Sequence, residues 1–136
     1  MDQEQQDLVR ASFAKVAPIA DVAAGLFYDR LFATDPALRP LFKGDMARQG
    51  QLLMTMIATA VENLHQLDQI LPAVRDLGQR HAGYGVKETD YDTVGGALLG
   101  TLEQALGAEF TPAVRDAWAA CYQTLAGEMK AAAAAR

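Results

Sequence analysis

One histidine in an apolar setting is the first residue whose type and spacing suggest chemistry. Leu71, Val74, Leu77 and His81 recur at i, i+3, i+6 and i+10, so His81 falls on the apolar face of a helix, near its end. Such a residue either fills the core while hydrogen-bonding a backbone carbonyl, or ligates a metal through one ring nitrogen. As a ligand, its other N–H would point back at the carbonyl of Leu77, one turn earlier, and so fix the tautomer. His65, the other histidine, lies at the polar end of its helix and reads as solvated. Cys121 stands alone, and the chain has no HxxxH, CxxC or carboxylate pair at metal spacing. A site built only from protein ligands for zinc or paired irons is therefore disfavoured.

A lone His among apolar residues suits a metal that brings most of its own ligands, as haem does. Two polar residues could face such a group. Gln49 is four residues before Leu53 and shares its helix stripe, while Tyr28 shares a face with Ala24, Leu31 and Phe32. A buried Tyr or Gln needs partners. The pair is either a satisfied core pair or two donors aimed at a ligand that acquires negative charge. Ala24 and Gly50 are small residues on the same two helices and permit a close crossing that brings Tyr28 and Gln49 together. Lys43, Arg48, Arg80 and Lys87 read as a solvated face, or as partners for the carboxylates of a haem. The glycines at 95, 96 and 100 lie inside a helix and make no phosphate loop, and no nucleophile triad is readable.

The elements that must position these residues are all helical. Apolar residues recur at three and four, rarely at two, in a composition rich in Ala, Leu, Gln and Glu. The spacing predicts a helix over 4–17, bent or stopped by Pro18, and a second to about 33 with Val22, Leu26, Phe27, Leu31 and Phe32 apolar. Asp35-Pro36 caps a short helix over 36–41. Asp45 caps a long helix to about 64, with Leu53, Met56, Ile57, Ala60, Val61 and Leu64 inside. The helix bearing His81 starts near Leu71-Pro72 and ends at Gly83 and Gly85. A sixth helix runs from Thr89-Asp90 to Gly107, and Thr111-Pro112 opens the last, with residues 131–136 extending it or fraying. Unequal helices split by short turns fit irregular helix-on-helix packing around something central, not a bundle with equal arms.

The whole-chain arithmetic agrees. With 136 residues, 51% apolar, one domain can bury a sufficient core without a staple. One cysteine allows no internal disulfide, and the acidic N-terminal stretch has no signal-peptide pattern, so a cytoplasmic location is expected. The net charge of −5 argues against nucleic acid, and the longest uncharged run, residues 49–61, is too short to cross a bilayer.

Taken in order, these residues resemble the bacterial single-domain globins of the flavohaemoglobin-like family. The stretch Phe27-Tyr28-Asp29-Arg30-Leu31-Phe32-Ala33-Thr34-Asp35-Pro36-Ala37-Leu38-Arg39-Pro40-Leu41-Phe42 is similar to that family's second and third helices and the corner after them. Gln49 with Leu53 matches its distal helix, Ile70-Leu71-Pro72-Ala73-Val74 with His81 its proximal helix, and Tyr91-Asp92-Thr93-Val94-Gly95 the helix after that. Ala117-Trp118 and Tyr122 resemble the last helix.

The resemblance implies an all-α globin fold, a three-on-three helical sandwich with little or no separate D helix and a mobile 43–46 loop. It implies haem b held by His81, with Phe42 packed on it and Leu53, Leu77, Val86, Val94 and Leu98 lining the pocket. Tyr28 and Gln49 would be the distal hydrogen-bond pair, and Arg80 a partner for the haem carboxylates. Reversible binding of O₂, CO and NO follows. The alternative is nitric oxide dioxygenase activity, with a separate NAD(P)H-dependent reductase as partner because the globin uses the whole chain. The state would be monomer or homodimer. In that family the proximal His is often backed by a Tyr and a Glu of the last helix. Tyr91 matches the Tyr, but the expected Glu position is Ala133, and Glu128 lies more than a turn too early.

Overall fold

The computed structural model describes residues 1–135. Among the described residues six α-helices form: α1 (Gln3–Val16), α2 (Ala20–Thr34), α3 (Met46–Glu62), α4 (Leu71–Gly83), α5 (Asp90–Leu106) and α6 (Pro112–Ala134). No strand occurs among the described residues. Side-chain caps start the helices where short polar residues were expected to. Asp45 accepts the Ala47 N–H at 2.9 Å and Thr111 Oγ1 accepts the Val114 N–H at 3.2 Å. Gly107, at φ 58°, takes the positive-φ backbone that favours glycine where α5 ends.

At Pro18, expected to bend or stop the first helix, α1 has ended at Val16 and a 3₁₀ turn, Ala17–Ile19, leads into α2. The short helix over Pro36–Leu41 falls where the sequence placed it and is 3₁₀, with Pro40 lacking a donor inside it. The long helix stops at Glu62, and an unforeseen 3₁₀ segment, Leu64–Gln69, follows. No separate helix stands between Leu41 and Met46, where the chain is irregular up to Asp45. The tail stays helical through Ala134, and Arg136 lies outside the described residues. Met56, read as inward-facing, is 41% exposed, and Val22, one of the apolar residues of the second helix, is 59% exposed, because the packed faces of their helices run through Ala23, Phe27, Leu53 and Ile57.

Two clusters make the core. Val9, Val16, Leu102, Leu106, Ala117 and Trp118 join α1, α5 and α6. Phe27, Tyr28, Leu31, Leu38 and Ala97 form the second, with Phe42, Leu53, Val94 and Leu98 packed on it. The α1–α2 run of 32 residues contains a window apolar enough, by length and composition, to cross a membrane. Here its Val16, Ala23 and Phe27 are core residues of these clusters.

The helix crossings position the site. A Cβ on Gly50 would meet the Ala24 Cβ at 3.0 Å, so α2 and α3 cross at two small residues, as their sequence suggested. A Cβ on Gly78 would stand 2.7 Å from the Cα of Met129, so α4 lies against the backbone of α6. Helices α3 and α4 barely touch one another.

Candidate functional site

The resemblance places a cofactor between α3 and α4, which make few contacts with each other. Helix α4 carries His81. Its Nδ1 lies 2.8 Å from the Leu77 carbonyl oxygen, the i to i−4 bond read from the sequence. With Nδ1 donating there, Nε2 is the ring nitrogen left for a ligand. Burial pushes the His81 pKa below its usual value; the Leu77 bond opposes this and the neighbouring Arg80 charge adds to it. The neutral, ligating form is thus favoured.

Helices α2 and α3 carry Tyr28 and Gln49. Tyr28 is buried within an aromatic box. Phe27 meets it edge-on at 5.0 Å, Phe42 edge-on at 5.4 Å and Phe32 stacked at 5.9 Å between ring centroids. Burial raises its pKa, and a hydrogen bond with the Gln49 side chain partly offsets this. The phenol therefore stays protonated and can donate. Gln49 is half-buried at the start of α3, one residue before the Gly50 crossing that brings the two helices together.

Phe42, Leu53, Val94 and Leu98 join Tyr28 in one cluster while keeping part of their surface open. Leu77 and Val86 are likewise half-buried but belong to neither core cluster. Val86 is tied to the end of α4 by its N–H to the His81 carbonyl, 3.0 Å. Arg80, expected to meet haem carboxylates, is exposed and pairs with Asp76 at 3.0 Å, one turn back on its own helix. His65 is exposed, with its Nδ1 3.4 Å from Arg10 Nη2. Behind the Tyr28 cluster lies an apolar cavity of about 20 Å³, bounded by Leu53, Leu98, Phe13, Met54, Ile57 and Trp118 among others.

Sequence reasoning missed four supports. Asp90 is buried and its Oδ2 accepts the Lys87 N–H at 2.8 Å, closing the turn between α4 and α5. Tyr122 donates its hydroxyl to the Tyr91 carbonyl at 2.6 Å. Gly78 sets the α4–α6 approach, and Lys130 Nζ lies 5.8 Å from the centroid of the Tyr91 ring. A glycine three residues before His81 on a helix was the one legible signal among them. Glu128 pairs with Arg75 at 3.2 Å and so serves Arg75.

No cluster of three or more metal-ligating side chains exists among the described residues. One imidazole nitrogen left for a ligand on α4, few contacts between α3 and α4, and part-open apolar side chains at Phe42, Leu53, Leu77, Val94 and Leu98 fit a flat apolar cofactor that carries its own metal ligands. Fold and site thus define an all-helical protein built to hold such a group. A model of the Globin family matches residues 25–129. The flavohemoprotein of Bacillus subtilis is 28% identical over 129 residues, which cover 93% of this chain and 32% of that protein. This chain spans about a third of that relative's length. The chain belongs to the globin family, as a haem-binding, all-α member.

Proposed function

We propose that the protein binds O₂ reversibly, along with CO and NO, at a haem b held by His81. Haem, when bound, would supply an iron that His81 can hold through Nε2 and that can take up a diatomic gas. The protein's part is to shape the two sides. Leu77 orients the imidazole. Leu53, Val94 and Leu98 exclude water, and Phe42 packs on the ring. Tyr28 and Gln49 offer hydrogen bonds to a ligand that gains negative charge on binding. A cytoplasmic location suits a chain with one buried thiol.

The observation that carries this reading is the close Ala24–Gly50 approach of α2 and α3, which sets the Gln49 side chain near the Tyr28 hydroxyl. A hydrogen bond to a charged acceptor contributes about 1.5–3 kcal/mol, roughly 10–100-fold in a rate. Tyr28→Phe is therefore expected to speed O₂ dissociation by at least about tenfold in stopped-flow displacement by CO. An unchanged rate would remove Tyr28 from the role.

A second reading rests on the flavohemoprotein relative, whose name joins a flavin to a haem. The same pocket would convert NO and O₂, with one electron, to nitrate, the electron coming from an NAD(P)H-dependent flavin reductase. Sustained NO consumption with such a reductase would favour it. A single turnover that stops after one equivalent would favour reversible binding.

A further inference from the structure

A void lies where the two core clusters meet. Val16 and Trp118 of the first cluster and Phe27 of the second bound the apolar cavity of about 20 Å³ behind Tyr28. Protein interiors pack to the density of organic crystals, so a void forfeits contacts on each of its walls. Ala105 forms one wall, where a larger side chain would take up the space.

The walls decide what can enter. Among the wall side chains only Thr101 and Trp118 carry nitrogen or oxygen, and both are engaged elsewhere. Thr101 Oγ1 donates to the Ala97 carbonyl at 2.8 Å, and Trp118 Nε1–H donates to Ser12 Oγ at 2.8 Å. Neither leaves a donor for a water, which needs about two to four partners when buried. About 10–15 Å³ holds one water-sized molecule. A cavity of about 20 Å³ therefore suits one small apolar molecule and excludes larger organic compounds.

The position decides where such a molecule comes from. Leu53 and Leu98 line the cavity and also pack on the Tyr28 cluster. Phe27 lines it too and meets the Tyr28 ring edge-on at 5.0 Å. One layer of side chains thus separates the cavity from Tyr28.

We infer that this cavity is a second holding site for one uncharged diatomic gas, O₂, CO or NO, exchanging with the haem side past Leu53 and Leu98. This rests on the gas-binding reading above and deepens it. Two gas molecules could then stand one side-chain layer apart, as the conversion of NO with O₂ requires.

The test uses the haem-loaded CO complexes of wild type, Ala105→Val and Ile57→Val. Ala105 and Ile57 line the cavity and are not among the residues placed around the haem. Nanosecond flash photolysis follows the released CO. Wild type is expected to show two geminate phases, the slower one being CO that returns from the cavity. Filling the space in Ala105→Val should cut the slower amplitude at least about threefold. Ile57→Val removes a methylene, enlarges the cavity and should raise that amplitude. A single geminate phase, or a slower phase that neither variant moves, would overturn the inference and leave the gas-binding reading intact. If the chain takes up no haem, the gas-binding reading falls and Trp118, the chain's one tryptophan, still reads the cavity it lines. Quenching of its fluorescence by dissolved O₂ should then be weaker in Ala105→Val and stronger in Ile57→Val. Equal quenching in all three would overturn the cavity as a gas site as well.

Discussion

Replacing Gly78 by Ala tests the contact that fixes the proximal helix. The added Cβ would lie 2.7 Å from Met129 Cα and closer still to its carbonyl oxygen. To restore an ordinary contact near 3.4 Å with that oxygen, α4 must withdraw from α6 by about 1 Å. The obstructing atoms are backbone in mid-helix and have no rotamer to yield. Overpacking costs about 1–3 kcal/mol where side chains can adjust, and here the upper end applies. The helix-propensity gain of Gly→Ala returns at most about 1 kcal/mol. The net loss is about 2 kcal/mol, or a melting temperature lower by roughly 6–10 °C in a chain of this size. Gly96→Ala is the matched control, since its Cβ would meet nothing within 4 Å and the site is exposed. It should gain about 0.5–1 kcal/mol. Thermal unfolding followed by far-ultraviolet circular dichroism reads both, and a haem titration reads the displacement of His81 in Gly78→Ala as weaker binding. If Gly78→Ala melts as high as Gly96→Ala, the close α4–α6 approach is not as described.

Three further outcomes follow from the same geometry. Ser12→Ala removes the oxygen that accepts Trp118 Nε1–H at 2.8 Å in the core, leaving a buried donor unpaired; urea unfolding followed by Trp118 fluorescence should show a loss of about 1–3 kcal/mol. Burial raises the pKa values of Tyr28, Tyr91 and Tyr122 above the usual 10.0, with negative charge at Tyr91 and Asp92 adding to it at Tyr122. Between pH 10 and those raised values the folded chain keeps protons that the unfolded chain loses. Their contribution to stability is therefore complete below pH 10 and declines as pH rises through that window, and urea midpoints that stay level from pH 9 to 11 would contradict it. His81→Ala should lose the Soret band of bound haem while keeping the helical circular dichroism signal, and a retained band would place the iron ligand elsewhere.

Much of this could be read along single helices. Pro36, Asp45, Gly107 and Thr111-Pro112 mark helix ends by local rules of capping and positive-φ glycine, and the helices begin and end close to them. The His81–Leu77 bond needed only the i to i−4 register of one helix. The pairing of Tyr28 with Gln49 needed one further step, two small residues that let neighbouring helices cross closely. The 3₁₀ segment Leu64–Gln69 escaped because its apolar residues continue the spacing of the helix before it, while the backbone breaks at Gln66.

What tertiary structure alone decided lies between distant segments. The exposure of Val22 and Met56 depends on which stripe of each helix finds a partner, and apolar spacing leaves several stripes open. Trp118 reaches Ser12 across 106 residues, Glu128 goes to Arg75, and Lys130 comes to rest on Tyr91. Those pairings follow from how α6 lies against α1, α4 and α5. That arrangement is set by packing summed over whole faces, at Gly78 above all, and the spacing of residues along one helix does not contain it.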